Sequence, residues 1–183
     1  MTLDGGADLY EMALRDAQAT ALAGSRSGGV TARDLLVLLK IAAAGPQRRF
    51  SDVARELGVR ASEASVSLER CRRVGLIDGE KRRVLRGSLL EFLEHGTRFV
   101  FPAEIGATAR GVATAELAGR YVWASVEGES WGSAVTPLDP LAPGAAAIDE
   151  RLRELLRLVD ALRLGGAGER RIAARDLGRR LGP

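Results

Sequence analysis

Apolar side chains recur at helical spacing in three consecutive blocks in the front half of the chain, and a glycine closes each block. The first block begins with Thr31, which suits a helix N-cap, and has Asp34 at the position of a capping-box acid. The second has Ser51 as its expected N-cap and ends at Gly58, and the third covers about 61–74. The pattern predicts three short helices in succession. Their expected buried faces consist of Leu35, Leu36, Leu38, Leu39 and Ala42 in the first, Val53, Ala54 and Leu57 in the second, and Ala64, Leu68 and Cys71 in the third.

The pattern shifts toward strands after the third helix. Leu76 and Ile77 precede the turn dipeptide Asp78-Gly79, and residues 83–85 can return as the second strand of a hairpin. A helix is predicted at 88–94. The later segments are predicted as short strands at 97–101 and 120–126, an amphipathic helix at 148–164 and a last helix after Gly168, while the pattern at 107–118 is ambiguous.

Basic side chains are concentrated in the region of the second and third helices and the hairpin. The whole sequence has a net charge of +3, but residues 47–86 alone carry +5, so the remainder sums to −2. Such a block is what a phosphate-binding surface needs, although a solvated arginine-rich face would have the same composition. With 46% hydrophobic and 28% charged residues, the chain otherwise has the composition of an ordinary soluble globular protein.

Residues 50–77 resemble the winged helix-turn-helix of MarR-like and related small bacterial repressors across their whole length, without a gap. Ala54 stands where a small residue lets the two helices approach each other. Gly58 lies in the turn between them, where it is free to take a positive φ. Gly75 ends the recognition helix ahead of the wing strand.

This resemblance implies that the third helix enters the major groove of double-stranded DNA and that the basic hairpin follows the minor groove or the backbone. Ser62, Ser65, Val66 and Arg70 would point toward the groove, with phosphates near the ends of the helix. The expected DNA-binding residues are Arg60, Ser62, Glu63, Ser65, Val66, Arg70, Arg73, Lys81, Arg82, Arg83 and Arg86.

The sequence departs from the family pattern at several positions on this helix. Arg60 stands where a Ser or Thr cap is usual, and Cys71 replaces the customary Leu. Glu63 and Glu69 place negative charge on or near the face expected to meet DNA, and Glu63 could either accept from cytosine or cap the helix. The face also lacks Asn and Gln. Backbone and shape contacts are therefore expected to supply more of the affinity than base reading.

The expected fold class is mainly α with a small β content (α+β), with a winged helix-turn-helix domain and a C-terminal helical extension. Residues 97–131 hold most of the aromatic side chains; they form either a core that packs on the wing side, which we favour, or a ligand pocket. The expected segments are a leader at 1–29, loose or in contact with a partner copy, the DNA-binding domain at 30–96, a small mixed α/β segment at 97–131, a proline-rich linker at 132–147 and C-terminal helices at 148–183.

These features predict a transcriptional regulator that binds double-stranded DNA, a repressor that could act on its own operon. We expect a homodimer whose contacts come from the leader, from 31–44 or from 148–164, because two half-sites require two copies. The alternative is a winged-helix interaction module, such as an antitoxin or adaptor that neutralises or recruits a partner protein encoded nearby. Residues 158–163 and 169–174 look similar to uncharacterised bacterial winged-helix proteins thought to sit beside nucleotidyltransferase-type toxins.

The sequence contains no arrangement that predicts an enzyme. His95 is the single histidine, at a predicted helix end where it would act as a cap or dipole partner, and Cys71 is the single cysteine. Neither has the neighbours that catalysis or metal binding requires, so we expect no catalytic residue, no cofactor and no metal. No apolar run approaches the roughly 20 residues that span a bilayer, and the first residues lack a signal-peptide layout. A cytoplasmic location is therefore expected.

Overall fold

The computed structural model describes residues 29–45, 48–79, 83–117 and 120–182. The predicted leader, apart from Gly29, and the predicted hairpin tip at 80–82 lie outside the described residues. Within these ranges the chain forms eight helices and one three-stranded sheet, so the coarse α+β class is confirmed.

Helix α1 (Ala32–Ala44) lies at the centre of the molecule. The predicted capping box is confirmed, because the Asp34 N–H donates to Thr31 Oγ1 over 3.2 Å and the Thr31 N–H donates to Asp34 Oδ2 over 2.9 Å. Leu35, Leu36, Val37, Leu38 and Leu39 are consecutive and all at most 1% exposed, so α1 is enclosed on every side rather than on one stripe.

Helices α2 (Phe50–Leu57) and α3 (Ala61–Arg73) pack against α1 and against each other. The predicted N-cap Ser51 is wrong: Arg49 occupies that position and its carbonyl accepts from the N–H of Val53, so Ser51 lies inside the first turn. Gly58 ends α2 in the left-handed region with φ 68°, as the turn requires. The predicted buried face of α3 is confirmed.

A minimal hairpin follows α3. Ile77 and Val84 form an antiparallel bridge, and the Asp78 N–H donates to the Arg83 carbonyl over 2.8 Å. The predicted helix at 88–94 is present as α4 (Arg86–His95).

The strand predicted at 97–101 is wrong, because these residues form helix α5 (Thr97–Val100). The Phe101 N–H donates to the Thr97 carbonyl over 2.8 Å, and the buried Thr97 hydroxyl donates to the Phe92 carbonyl over 3.4 Å. The segment thus continues from the end of α4 as a short helical turn held by local hydrogen bonds, which an alternation over five residues does not reveal.

Three strands form a small closed sheet in which each strand pairs with both others. β1 (Ile105–Glu116) is antiparallel to β2 (Arg120–Ala124) and to β3 (Ser130–Val135), whereas β2 and β3 are parallel. Residues 107–116 of the ambiguous segment belong to β1, and the strand predicted from residue 120 is confirmed. At Gly111 the three strands come so close that a Cβ atom would collide with the Trp123 carbonyl.

The prediction that residues 132–147 form an extended linker is wrong. Its first residues belong to β3, and its last form helix α6 (Ala142–Ala147). The Asp139 side chain accepts from the Leu141 N–H over 2.9 Å and the Asp139 carbonyl accepts from the Ala142 N–H over 2.8 Å, which starts the helix. Pro143 is tolerated because it lies in the first turn, where its missing N–H has no intrahelical partner.

The two predicted C-terminal helices are confirmed as α7 (Glu150–Leu164) and α8 (Ala167–Leu181). The apolar stripe of α7 is buried inside the chain against α1, α6, α8 and the sheet, and Ile148 lies before the helix and is exposed. The apolar surfaces of 31–44 and 148–164 that were considered for a dimer are therefore used within one chain. No helix in the described ranges is long and apolar enough to cross a membrane.

A buried polar cluster joins the sheet to α7. The Asp160 carboxylate accepts from Thr114 Oγ1 and from Trp123 Nε1, each over 2.7 Å, and from Arg163 Nη1 over 2.6 Å. Arg163 Nε also donates to the Phe101 carbonyl over 2.8 Å. The aromatic segment thus packs on α7 through Trp123.

A second buried ionic contact ties α1 to its neighbours. Lys40 Nζ lies 2.7 Å from Glu56 Oε2 on α2 and 2.6 Å from Asp149 Oδ2 at the N-cap of α7. Although burial opposes it, the two carboxylates raise the pKa of Lys40 above its ordinary value. Helix α2 is therefore held in place from the side opposite its exposed surface.

Candidate nucleic-acid interface

The exposed side of α3 carries short side chains, two serines and one valine. Ser62, Ser65 and Val66 follow one another at intervals of three and one and are all solvent-exposed, Val66 at 49%. Ala64, Leu68 and Cys71 on the opposite side are buried, and α3 packs there against α1 and α2. The helix is amphipathic in the sense that groove binding needs, with a buried back and a free polar front.

The first turn of α3 is capped by its own third residue. Glu63 Oε2 accepts from the Arg60 N–H over 3.0 Å, which is the half of a capping box that does not need a hydroxyl at the N-cap. This contact explains how Arg60 can replace the usual Ser or Thr. It also assigns Glu63 to the helix cap, one of its two expected roles, while the Arg60 side chain stays exposed.

The predicted orientation of Arg70 toward a groove is wrong. Its Nε and Nη2 atoms donate to the two oxygens of Asp34 over 2.6 and 2.5 Å, and Asp34 is fully buried in the first turn of α1. A buried carboxylate needs such a partner because burial without one costs several kcal/mol. Arg70 is therefore a positioning residue that fixes α3 on α1.

The electrostatics of Asp34 agree with this role. Burial alone would raise its pKa, but hydrogen bonds from Arg70, Ser67 and Thr31 outweigh the effect and hold the pKa of Asp34 below its ordinary value. Ser67, which follows Val66 in the sequence, is buried in the same contact. The polar front of α3 is accordingly narrower than the sequence predicted.

A surface ion cluster covers the second half of α3. Glu69 accepts from Arg72 Nε over 2.8 Å and from Arg73 Nε over 3.3 Å. The hydrogen bonds from Arg72, with the charge of both arginines, lower the pKa of Glu69 to about 2. Glu69 is therefore ionised at any physiological pH, and the cluster presents one net positive charge instead of two.

The basic residues assigned to the hairpin are only partly grouped there. Lys81 and Arg82 lie outside the described residues, and Arg83 is exposed. The guanidinium of Arg86 lies against Gly182 at the end of α8, where a Cβ on that glycine would come within 2.9 Å of Nη1. Arg86 thus bridges α4 and α8, away from the free hairpin surface that was expected for it.

Arg49 is an exposed cation that the sequence reasoning left out. It occupies the N-cap position of α2, and the misplaced cap at Ser51 hid its position at the start of a helix. In the described part of the chain no acidic side chain pairs with Arg49, Arg60 or Arg83, whereas Arg48 and Arg55 pair with Glu56 and Asp52, respectively. Three uncompensated cations therefore accompany α2, α3 and the hairpin.

Other chemistry would involve the acidic, His and Cys side chains of the described ranges. No group of three or more His, Cys, Asp or Glu side chains there is arranged to hold a metal. Burial raises the pKa of the Cys71 thiol to about 12, so the thiolate that would be nucleophilic is not formed at neutral pH. His95 ends α4 with an exposed ring 4.0 Å from Glu94.

Comparison with models of protein families, with curated proteins and with solved structures finds no match to this chain. Its function must therefore be inferred from its own geometry. The feature best suited to a macromolecular ligand is the exposed front of α3 with the free cations around it.

Proposed function

We propose that this protein is a winged helix-turn-helix regulator that binds double-stranded DNA. In this proposal α2 and α3 are the helix-turn-helix, α3 is the recognition helix, and the 76–85 hairpin is the wing. The observation that carries the proposal is the exposed face formed by Ser62, Ser65 and Val66 on a helix whose opposite face is buried.

The dimensions of α3 fit this role. Its 13 residues span about 20 Å at 1.5 Å per residue, and a B-form major groove about 12 Å wide admits one helix. The short side chains of Ser62 and Ser65 allow the backbone to approach the base edges, and Val66 offers an apolar contact to a thymine methyl. With so few base-reading groups, phosphate contacts would supply most of the affinity.

The wider role we infer is transcriptional repression by a homodimer in the cytoplasm. A dimer would place two copies of α3 about one helical turn of DNA apart, about 34 Å. Because the apolar faces of α1 and α7 are already buried within the chain, the contact between copies would involve other surfaces.

The direct test is titration of a labelled duplex from the region upstream of its own gene. The Arg82→Ala/Arg83→Ala double variant is expected to bind more weakly on every sequence tested. The slope of its log affinity against log salt concentration should be smaller in magnitude by about 1–2, since each phosphate contact contributes about 0.9 to that slope. Arg151→Ala, an exposed arginine on α7, is the matched control and should leave both quantities unchanged. Equal weakening by the control would rule out a specific role of the hairpin.

A second prediction concerns the ion cluster on α3. Glu69→Gln removes the carboxylate that engages Arg72 and Arg73, so both guanidiniums become available to phosphates. Affinity for duplex DNA should rise several-fold at low salt and the salt dependence should steepen by about 1. Glu91→Gln, an exposed carboxylate on α4, should have little effect. If Glu69→Gln binds no more tightly than wild type, α3 does not approach phosphates at this end.

A protein-interaction module is the second candidate. It is favoured by large apolar side chains exposed on and beside the small sheet, namely Ile105, Val126 and Trp131. In that case a protein encoded nearby would co-purify with this chain. Replacing Trp131 by a charged residue would abolish the co-purification. A protein that purifies alone and binds duplex DNA would exclude this role as the principal one.

A further inference from the structure

A cationic cavity lies on the described surface where the end of α4, helix α5 and the start of α8 meet. Its volume is about 250 Å³. None of the residues that line it belongs to α3 or to the hairpin, so the cavity is not part of the α3 front. Its lining consists of Glu94, His95, Arg98, Phe99, Ala167, Arg170 and Arg171.

The charges around this cavity are not balanced. Three guanidiniums, those of Arg98, Arg170 and Arg171, face one carboxylate, Glu94, which lies next to His95. In the described ranges neither Arg98 nor Arg171 has an acidic partner. Elsewhere on the surface, arginines such as Arg72, Arg153 and Arg179 pair with an acid in their own helix. Unpaired cations that converge on a concave surface attract an anion.

Two of these arginines are held in position. Arg170 Nη1 donates to the Gly165 carbonyl over 2.6 Å, and a guanidinium has further N–H donors beyond the one used there. Arg98 lies over the ring of Phe99, with 4.2 Å between its Cζ atom and the ring centroid. Phe99 is 68% exposed, so the cavity places these cations beside an accessible aromatic surface.

We propose that this cavity binds a small organic phosphate, with the phosphate held by Arg98, Arg170 and Arg171 and the apolar part against Phe99. The planar fork of a guanidinium matches phosphate oxygens. The volume lies just below the usual range for ligand pockets, about 300–1,000 Å³, which restricts the ligand to a compact molecule. The proposal does not depend on DNA binding, because it concerns different residues.

Isothermal titration calorimetry of the full chain with phenyl phosphate, inorganic phosphate and phenol tests the proposal. Phenyl phosphate should bind at one site, inorganic phosphate more weakly and phenol not detectably. Arg98→Gln and Arg171→Gln should each lower the affinity for phenyl phosphate at least tenfold. Phe99→Ala should remove the preference for phenyl phosphate over inorganic phosphate. These side chains are exposed, and circular dichroism would verify that each variant is folded.

Arg151→Gln is the matched control, since Arg151 is exposed on α7 outside the cavity, and it should leave phenyl phosphate binding unchanged. Three results would overturn the proposal. They are the absence of saturable phenyl phosphate binding, equal weakening by Arg151→Gln, and a loss of duplex DNA binding in Arg98→Gln and Arg171→Gln without a change for phenyl phosphate. The last result would identify the cavity as a contact to a DNA backbone.

Discussion

Arg70→Ala is expected to lower the free energy of unfolding by about 3–5 kcal/mol, because it leaves the carboxylate of Asp34 buried without its cation. Urea denaturation followed by circular dichroism measures the change. Arg73→Ala on the same helix is the matched control; its side chain is 61% exposed, so the expected change is within about 0.5 kcal/mol. Equal stability of the two variants would contradict the role of Arg70 in fixing α3 on α1.

The same contact predicts a pH dependence. Because the pKa of Asp34 is lower in the folded chain than in the unfolded chain, the pair stabilises the fold above the unfolded value of about 3.9. That contribution is lost as the pH falls below about 4 toward the folded value. The stability difference between wild type and Asp34→Asn should therefore shrink on acidification, and a difference that grows would contradict the assignment.

A positioning role for Arg70 also has a signature in DNA binding. Loss of Arg70 should weaken duplex binding by displacing α3, with the slope against log salt unchanged, because no phosphate contact is removed. A direct contact would instead flatten that slope by about 1. The slope against log salt thus distinguishes a positioning role of Arg70, through its contact with Asp34, from the direct DNA contact that the sequence suggested.

Asp160→Ala is expected to lower the free energy of unfolding by about 3–5 kcal/mol, as much as Arg70→Ala. It removes the acceptor of Thr114, Trp123 and Arg163, and Arg163 then becomes a buried cation without its carboxylate. Burial raises the pKa of Asp160, while the charge of Arg163 and three hydrogen bonds oppose that rise.

Thermal and urea unfolding would measure this loss, with Trp123 fluorescence read in a Trp131→Phe background. Asp160→Asn should lower the free energy of unfolding less than Asp160→Ala, since it keeps an acceptor oxygen and the side-chain volume. Glu150→Ala, an exposed carboxylate at the start of the same helix, should cost less than about 1 kcal/mol. A similar loss in Glu150→Ala and Asp160→Ala would show that the buried cluster does not join the sheet to α7.

Local signals predicted much of the helical structure. The spacing of Thr31 and Asp34 located the start of α1, Gly58 located the end of α2, and the apolar stripe of 148–164 located α7. Each of these signals lies within a few residues of the element it specifies. Capping and amphipathic periodicity are local, so they can be read from one sequence.

Some of the features that were missed depend on contacts between distant residues. Arg70 and Asp34 are 36 positions apart, and the sequence offers no reason to pair them rather than to place Arg70 on the surface. Helices α5 and α6 were missed for another reason. The contact of Thr97 with Phe92 and the turn formed by Asp139 are local, but the alternation and the prolines of these segments suggested other structures. The closed sheet requires the close approach at Gly111, which no periodicity encodes.

Fluorescence anisotropy of a labelled duplex, titrated with wild type and Ser65→Glu at about 50 mM salt, tests the central claim most directly. Ser65 is exposed on the front of α3, so a carboxylate there should repel DNA without unfolding the helix. Ile172→Glu, an exposed site on α8, is the control. Binding by wild type and by the control, with at least a tenfold loss in Ser65→Glu, is the predicted result. Absence of binding by wild type, or equal binding by all three proteins, would contradict it.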